Sequence, residues 1–481
     1  MNASLPLAVC LPLLGALATT LAPARARALG LIAALASSGV VLWLVVGVWE
    51  QGPLRASLGG WSAPLGIALA ADGAVAALLA MTAMVALAIS IHAGGYFRDP
   101  ERLRQFWPLW LLLWAALNAL FLAADLFNIY VGLELLGLSG AALAALGGGR
   151  EALTASLRYL LVGLLGSMTY LLGVALIYAA HGQLDLALLD TRLGPGLVDA
   201  TALALLTLGL ALKAALFPLH FWLPPTHANA PAPVSAALSA LVGKVAAWLL
   251  LMLWLGPFAA VTQPAAATLL GLLGACGVIW GSWRALRAER LKLLAAHSTV
   301  AQIGYLFLFV PLLQGLDPGP ERTALLGALL LMALTHGLAK AAFFLAAGQV
   351  QRLAGHDRID ALGGTAQRLP ATTFTLGLAG VALIGLPPSG SFIGKWLLLE
   401  AAIDQGQWWW ILPVLAGTLL AAAYVFRVLA RAFNEEPTPQ HFVTQVRAEL
   451  PGLVLALLAV AGLGLATGAL WGLLEPVEID R

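Results

Sequence analysis

The chain alternates between apolar runs of about 20 residues and short polar joints, the length that crosses a bilayer as a helix. The first run covers residues 4–22, followed by 28–49, 67–92, 107–124, 126–147 and 155–180. Helices 7 and 8 come from the stretch 200–250, helix 9 from 264–283, helix 10 from 293–314 and helix 11 from 323–350. Helix 12 starts near 371, breaks at Leu386-Pro387-Pro388-Ser389-Gly390 and resumes to about 402; helices 13 (408–432) and 14 (450–473) follow. The predicted fold class is therefore all-α, a polytopic membrane protein of about 14 transmembrane helices. The first run precedes Ala24-Arg25-Ala26 but has no positive residues before it, so it reads as a helix and not as a signal peptide.

Two of these runs are interrupted in matching places. Helix 7 ends in a proline-rich segment, FPLHFWLPPTHANAPAP, and helix 12 breaks at Pro387-Pro388. The spacing predicts two inverted five-helix repeats, helices 4–8 (107–255) and 9–13 (264–432), between N-terminal helices 1–3 (1–106) and a C-terminal helix 14 (433–481). Non-helical backbone at membrane depth survives only inside protein or beside a water-filled cavity. Interrupted helices at matching positions of inverted repeats point to a transport site near the midplane.

Composition supports the membrane assignment: 61% of residues are hydrophobic and 10% charged, against about 25% charged in soluble chains. The two cysteines, Cys10 and Cys276, are too few for a Cys-ligated iron–sulfur cluster and are expected to be buried thiols. Charge matters through its distribution. Seventeen basic residues, Lys292 among them, fall in alternate joints on one side, and Arg55, Arg192, Arg322 and Arg481 fall on the other. By the positive-inside rule the first side is cytoplasmic and both termini are outside. Four basic residues remain, Lys213, Lys244, Lys340 and Lys395, and all lie within apolar spans.

A charge at the bilayer centre costs at least about 2.5 kcal/mol and marks a functional site by default. Glu134, in helix 5, is the natural partner of Lys213, each easing the other's burial. Such a pair either fixes packing or exchanges a proton as its geometry changes. Lys244 and Lys395 have no acid beside them in their own helices; each either relays protons or caps the carbonyls of a broken helix. His336 and Lys340 are four residues apart and share a face of helix 11. His220 and His227 flank the first break and His297 lies in helix 10; His220 and His297 are possible relays. No metal site is expected, because no cysteine or acid joins the histidines. Asp72 and Asp125 are expected as helix N-caps, Glu400 and Asp404 as solvated interfacial acids, and Trp408-Trp409-Trp410 as part of an aromatic belt. No nucleotide loop, dinucleotide fingerprint or nucleophile elbow occurs in the sequence.

DLFNIYVGLELLGLSG (125–140), LKAALFPLHFWLPPTHANAPAPVSAALSALVGK (212–244), THGLAKAAFFLAAG (335–348) and GLPPSGSFIGKW (385–396) resemble the antiporter-like subunits. That family is shared by respiratory complex I and the Mrp-type multisubunit Na+/H+ antiporters, and the resemblance covers essentially the whole chain. It implies a charged axis along the membrane plane through Glu134, Lys213, Lys244 and Lys395, with His336 and Lys340 connecting the halves. A lysine at 395 and the forms FPLHFWLP and DLFNIYVGLE look closest to the Mrp D-type subunit. The end at residue 481 argues against the complex I subunit that bears a lateral helix. Pro224-Pro225-Thr226-His227 departs from relatives that carry an acid there, which bears on the route of proton entry.

The resemblance implies a proton-translocating subunit of an Mrp-type monovalent cation (Na+)/proton antiporter in the bacterial cytoplasmic (inner) membrane. The alternatives are a proton-pumping membrane-arm subunit of a complex I-like NADH:quinone oxidoreductase or related hydrogenase, and a structural scaffold. No redox site is expected in this chain, although it would serve an enzyme complex in the second case. All three imply no cofactor here and a hetero-oligomer with other membrane subunits, without nucleic acid.

Overall fold

The architecture is taken from a computed structural model, which describes residues 3–434 and 449–474. Arg447 and Arg481, both counted for orientation, lie outside the described residues. Six helices open the chain: α1 Ser4–Leu21, α2 Ala26–Gln51, α3 Gly73–Tyr96, α4 Pro100–Leu122, α5 Leu126–Ala145 and α6 Gly149–His181. The seventh is split into α7a, Leu197–Ala214, and α7b, Leu223–Asn229. Then come α8 Ala232–Leu255, α9 Pro264–Leu286, α10 Leu291–Gln314 and α11 Pro320–Ala354. The twelfth is also split, into α12a Pro370–Ile384 and α12b Gly390–Asp404. α13 is Trp408–Phe433, and α14 is Leu450–Leu465 followed by Thr467–Leu474 across a 70° bend.

Twelve of these helices are each long and apolar enough to cross a membrane, and bent α14 is a thirteenth. α12 falls outside that count, since its halves are 15 residues each. The layering follows from composition. α11 is apolar all round, and its most hydrophobic stretch is wholly buried; such a helix belongs in a core and not on a surface. It packs against α3, α8, α10, both halves of α12, and α14. α1, α2, α6, α9 and α13 form the rim and turn rows of leucines outward.

Glycine decides how closely two rim helices approach their neighbours. A Cβ at Gly209 of α7a would stand 2.5 Å from the carbonyl oxygen of Gly166 on α6, and one at Gly304 of α10 would stand 2.4 Å from that of Gly274 on α9. Small residues that let backbones touch are the usual packing device where lipid removes the hydrophobic drive.

Several expectations are corrected. Residues 68–71 are not the start of α3: they form a strand, β2, antiparallel to β1 at Leu54–Ser57. Asp72 sits at the junction and caps α3 through the amide of Val75, 2.8 Å away. The polar joint before residue 107 is largely helical, because Asp99 caps a helix that begins at Pro100, the position where proline is favoured. Cys10 and Cys276 are exposed, since both lie on outward faces of rim helices. Trp408 and Trp409 face outward, but Trp410 is buried and its indole donates to Gln407.

Candidate functional site: buried lysines on broken helices

α7a stops because Ala215 takes a left-handed conformation (φ 57°) and Pro218 cannot continue the helix. Lys213 therefore lies in the last turn, where a cation is favoured by the exposed carbonyls. The side chain is buried, and its ammonium donates to the carbonyl oxygen of Leu133 on α5 at 3.0 Å. Asp125 begins α5 by capping the amides of Phe127 and Asn128, both at 2.8 Å, which fixes Leu133 and Glu134 two turns further on. The expected Glu134–Lys213 ion pair is not formed. The carboxylate acts on Lys213 electrostatically, but its Oε1 is buried without a hydrogen-bond partner. Sequence spacing places the two helices side by side but does not fix the side-chain rotamers. Leu136, Gly137, Tyr159, Lys213, Trp222 and Val242 enclose a cavity of about 10 Å³, the space of one water.

Lys244 sits just after a π-helical turn, Leu238–Val242, in α8. Such a turn leaves backbone carbonyls poorly matched to the ladder and is frequent at functional sites. The lysine donates to one of them, Ser239 O, at 2.8 Å, and the Ser239 hydroxyl is 2.7 Å from that of Thr299 on α10. Lys340 of α11 donates to Ala295 O of α10 at 2.8 Å and to the Ser298 hydroxyl. His336, one turn away, lies in the electrostatic field of both Lys244 and Lys340, and neither of its ring nitrogens has a partner.

At the second break α12a ends at Gly385 (φ 81°), and its last carbonyls are capped from outside. Gln302 of α10 donates to Leu383 O at 2.9 Å, and Lys395 of α12b donates to Ile384 O at 2.9 Å. Gly385 is required twice: its backbone is left-handed, and a Cβ there would stand 3.3 Å from the Lys395 ammonium.

Lys292 is a further correction. Assigned from the sequence to a cytoplasmic joint, it is buried in the first turn of α10 and donates to Ala230 O just beyond α7b. Beside it, Arg290 binds Asp357 at 2.8 Å and Ala228 O at 3.3 Å. The signal is hidden because Lys292 closes a basic run, RALRAERLK, that reads as a solvated loop. All five lysines are thus buried and each is bonded to a main-chain carbonyl. His220 and His297 are buried electrostatic neighbours, while His227 stacks on Phe344 with ring centroids 5.2 Å apart. Glu400 and Asp404 are exposed at the end of α12b.

Residues 123–421 match the family described as NADH:quinone oxidoreductase/Mrp antiporter, TM. The chain belongs to that family. The matched region runs from the end of α4 into α13 and contains both breaks and all five lysines. The NADH-quinone oxidoreductase subunit N of Desulforudis audaxviator is 36% identical, with 90% of this chain and 87% of the relative covered. The D-type subunit of the Na(+)/H(+) antiporter of Bacillus subtilis is 29% identical, with 96% and 94% covered. Among solved structures, a chain of the archaeal membrane-bound sulfane sulfur reductase, a respiratory membrane complex, superposes with a TM-score of 0.90 at 27% identity, covering 99% of this chain and 97% of that one. A chain of the Mrp complex from Dietzia superposes with a TM-score of 0.84 at 25% identity, covering 99% and 96%.

Proposed function

We propose that the chain is the proton-translocating subunit of a multisubunit Mrp-type monovalent cation/proton antiporter. The observation that carries this reading is the set of four lysines, Lys213, Lys244, Lys340 and Lys395, each buried and held by carbonyl oxygens with no described carboxylate at ion-pair distance. A purely structural buried cation is normally matched by an anion. Ammonium groups held only by neutral oxygens are poised to give up a proton, and Glu134, beside Lys213, and His336, beside Lys244 and Lys340, add exchangeable partners. His220 and His297 stand at the first break as relays. The end-to-end likeness to the Bacillus antiporter protein supports the antiporter reading, and the Mrp structure supports assembly with other membrane subunits. The basic joints support the bacterial cytoplasmic membrane, with both termini on the non-cytoplasmic side, and the two interrupted helices support the inverted repeats, 107–255 and 264–432.

A second reading, a membrane-arm subunit of a redox-driven proton pump, is favoured by the 36% identity to the Desulforudis oxidoreductase protein and the 0.90 superposition on a respiratory complex. In that case redox chemistry lies in other subunits. Inside-out vesicles holding the complete complex separate the two. If added Na+ collapses a preformed proton gradient and Lys213→Ala abolishes the response, the antiporter reading holds. If Na+ has no effect but NADH or another donor builds a gradient that Lys213→Ala weakens, the redox reading replaces it. If Lys213→Ala behaves as wild type in both assays, both readings fail and the buried charges are scaffold.

A further inference from the structure

α10 carries a row of side chains that reaches two of the lysines, Lys340 and Lys395. Ser298, Gln302 and Tyr305 follow at intervals of four and three residues and so stand on one helix face, over a rise of about 10 Å. Each is buried and each holds a different element. Ser298 accepts from Lys340 of α11, and Gln302 donates to Leu383 O at the end of α12a. The Tyr305 hydroxyl donates to Val414 O of α13 at 3.3 Å, while its ring lies under the Lys395 ammonium, 4.4 Å from nitrogen to centroid.

The surroundings of Lys395 show what the ring supplies. Its ammonium donates to Ile384 O and to the Thr418 hydroxyl, each at 2.9 Å. That hydroxyl spends its own proton on Val414 O, 2.8 Å away, and so presents a lone pair to the lysine. No described carboxylate lies at ion-pair distance. The positive form is therefore held by two neutral oxygens and one aromatic face, and a desolvated cation gains most from such a face. The ring is fixed in place: a Cβ at Gly417 of α13 would stand 2.3 Å from the Tyr305 hydroxyl, so only glycine leaves room for it.

We propose that Tyr305 is a positioning residue for proton transfer at Lys395. Its ring holds the ammonium against the broken end of α12a, and displacement of α12b relative to α10 removes that face and favours release of the proton. Because Gln302 and Tyr305 sit on the same helix face, α10 grips both sides of the break. This rests on the reading that protons pass through Lys395.

The test is proton movement in inside-out vesicles holding the whole complex, with assembly checked by co-purification of the other subunits. Tyr305→Phe keeps the ring and is expected to stay within about twofold of wild type. Tyr305→Leu is expected to lose about tenfold, the change equivalent to a cation–π contact of about 1.4 kcal/mol. Because Leu alters packing, mono-, di- and trifluorinated phenylalanines at position 305 supply the second readout: they keep shape while draining the ring face, and activity should fall stepwise with fluorine number. A flat fluorine series, or Tyr305→Phe as poor as Tyr305→Leu, overturns the proposal. Lys395→Ala is the reference: full activity in that variant would remove the underlying proton-path reading instead.

Discussion

The Lys213 ammonium donates to the carbonyl oxygen of Leu133 at 3.0 Å and not to the carboxylate of the adjacent Glu134. A buried cation on a neutral oxygen contributes little to folding, since replacing buried charge by an apolar group of similar volume is commonly neutral or stabilising by about 1–4 kcal/mol. Lys213→Met is therefore expected to leave the melting temperature of the purified complex unchanged or raised, while proton movement falls by more than about tenfold. A large drop in melting temperature with normal transport would make the lysine a structural cap. Glu134→Gln keeps the shape of a side chain whose Oε1 has no partner, and it should assemble normally while slowing transport.

Ala215 is the one described non-glycine residue with positive φ, 57°, and it is fully buried. Two effects of similar size oppose each other on substitution by glycine. Relief of the left-handed backbone is worth about 1 kcal/mol, and loss of a buried methyl costs about 0.8 kcal/mol. Ala215→Gly should consequently melt within about 0.5 kcal/mol of wild type. Ala215→Val meets both penalties, a β-branched side chain in a forbidden region and added volume in a packed break, and should lose at least about 2 kcal/mol. Equal melting of the two variants in detergent would show that the α7a terminus relaxes freely.

The spans, the two breaks and four buried lysines are legible in the sequence because lipid imposes a length, and because a proline or a lysine within an apolar run conflicts with that environment. What escapes is what side-chain geometry decides. Ser298, Gln302 and Tyr305 look like ordinary residues of an apolar helix until Leu383, Lys340 and Lys395 are placed around them. Lys292 is hidden by its basic neighbours, and helix adjacency alone pairs Glu134 with Lys213. The strand at 68–71 is absorbed into a long apolar run, since ALAA carries no period that distinguishes strand from helix.

The glycines of the rim illustrate the same limit and give a sharp contrast. A Cβ at Gly209 would meet Gly166 O at 2.5 Å, whereas a Cβ at Gly163, on the same α6 helix as Gly166, meets nothing within 4 Å. Gly209→Ala must push two backbones apart and should cost about 1–3 kcal/mol. Gly163→Ala should gain up to about 1 kcal/mol from helix propensity. Thermal melts of the two single variants check the order; a Gly209→Ala protein as stable as wild type would mean the crossing tolerates separation.

Asp357 fastens the start of α10, which in turn holds the end of α7b. Its main-chain carbonyl accepts from Leu291 N at 2.8 Å, its Oδ2 from Lys292 N at 3.4 Å, and its Oδ1 from Arg290 Nε at 2.8 Å. Arg290 and Lys292 in turn hold Ala228 O and Ala230 O, carbonyls that the short helix leaves unsatisfied. Removing the carboxylate frees an arginine whose side chain is 35% exposed, so water recovers part of the loss. Asp357→Asn is expected to cost about 1–2 kcal/mol, between the values for exposed and buried pairs. A double-mutant cycle with Arg290→Gln should show coupling of about 1 kcal/mol. Lys292→Met, by contrast, leaves Ala230 O, outside any helix, with only the long 3.5 Å bond from the Ser235 hydroxyl, and is expected to cost about 1–2 kcal/mol. Zero coupling in the cycle would mean that Asp357 acts only through the amides at the start of α10 and that Arg290 holds Ala228 O independently of it.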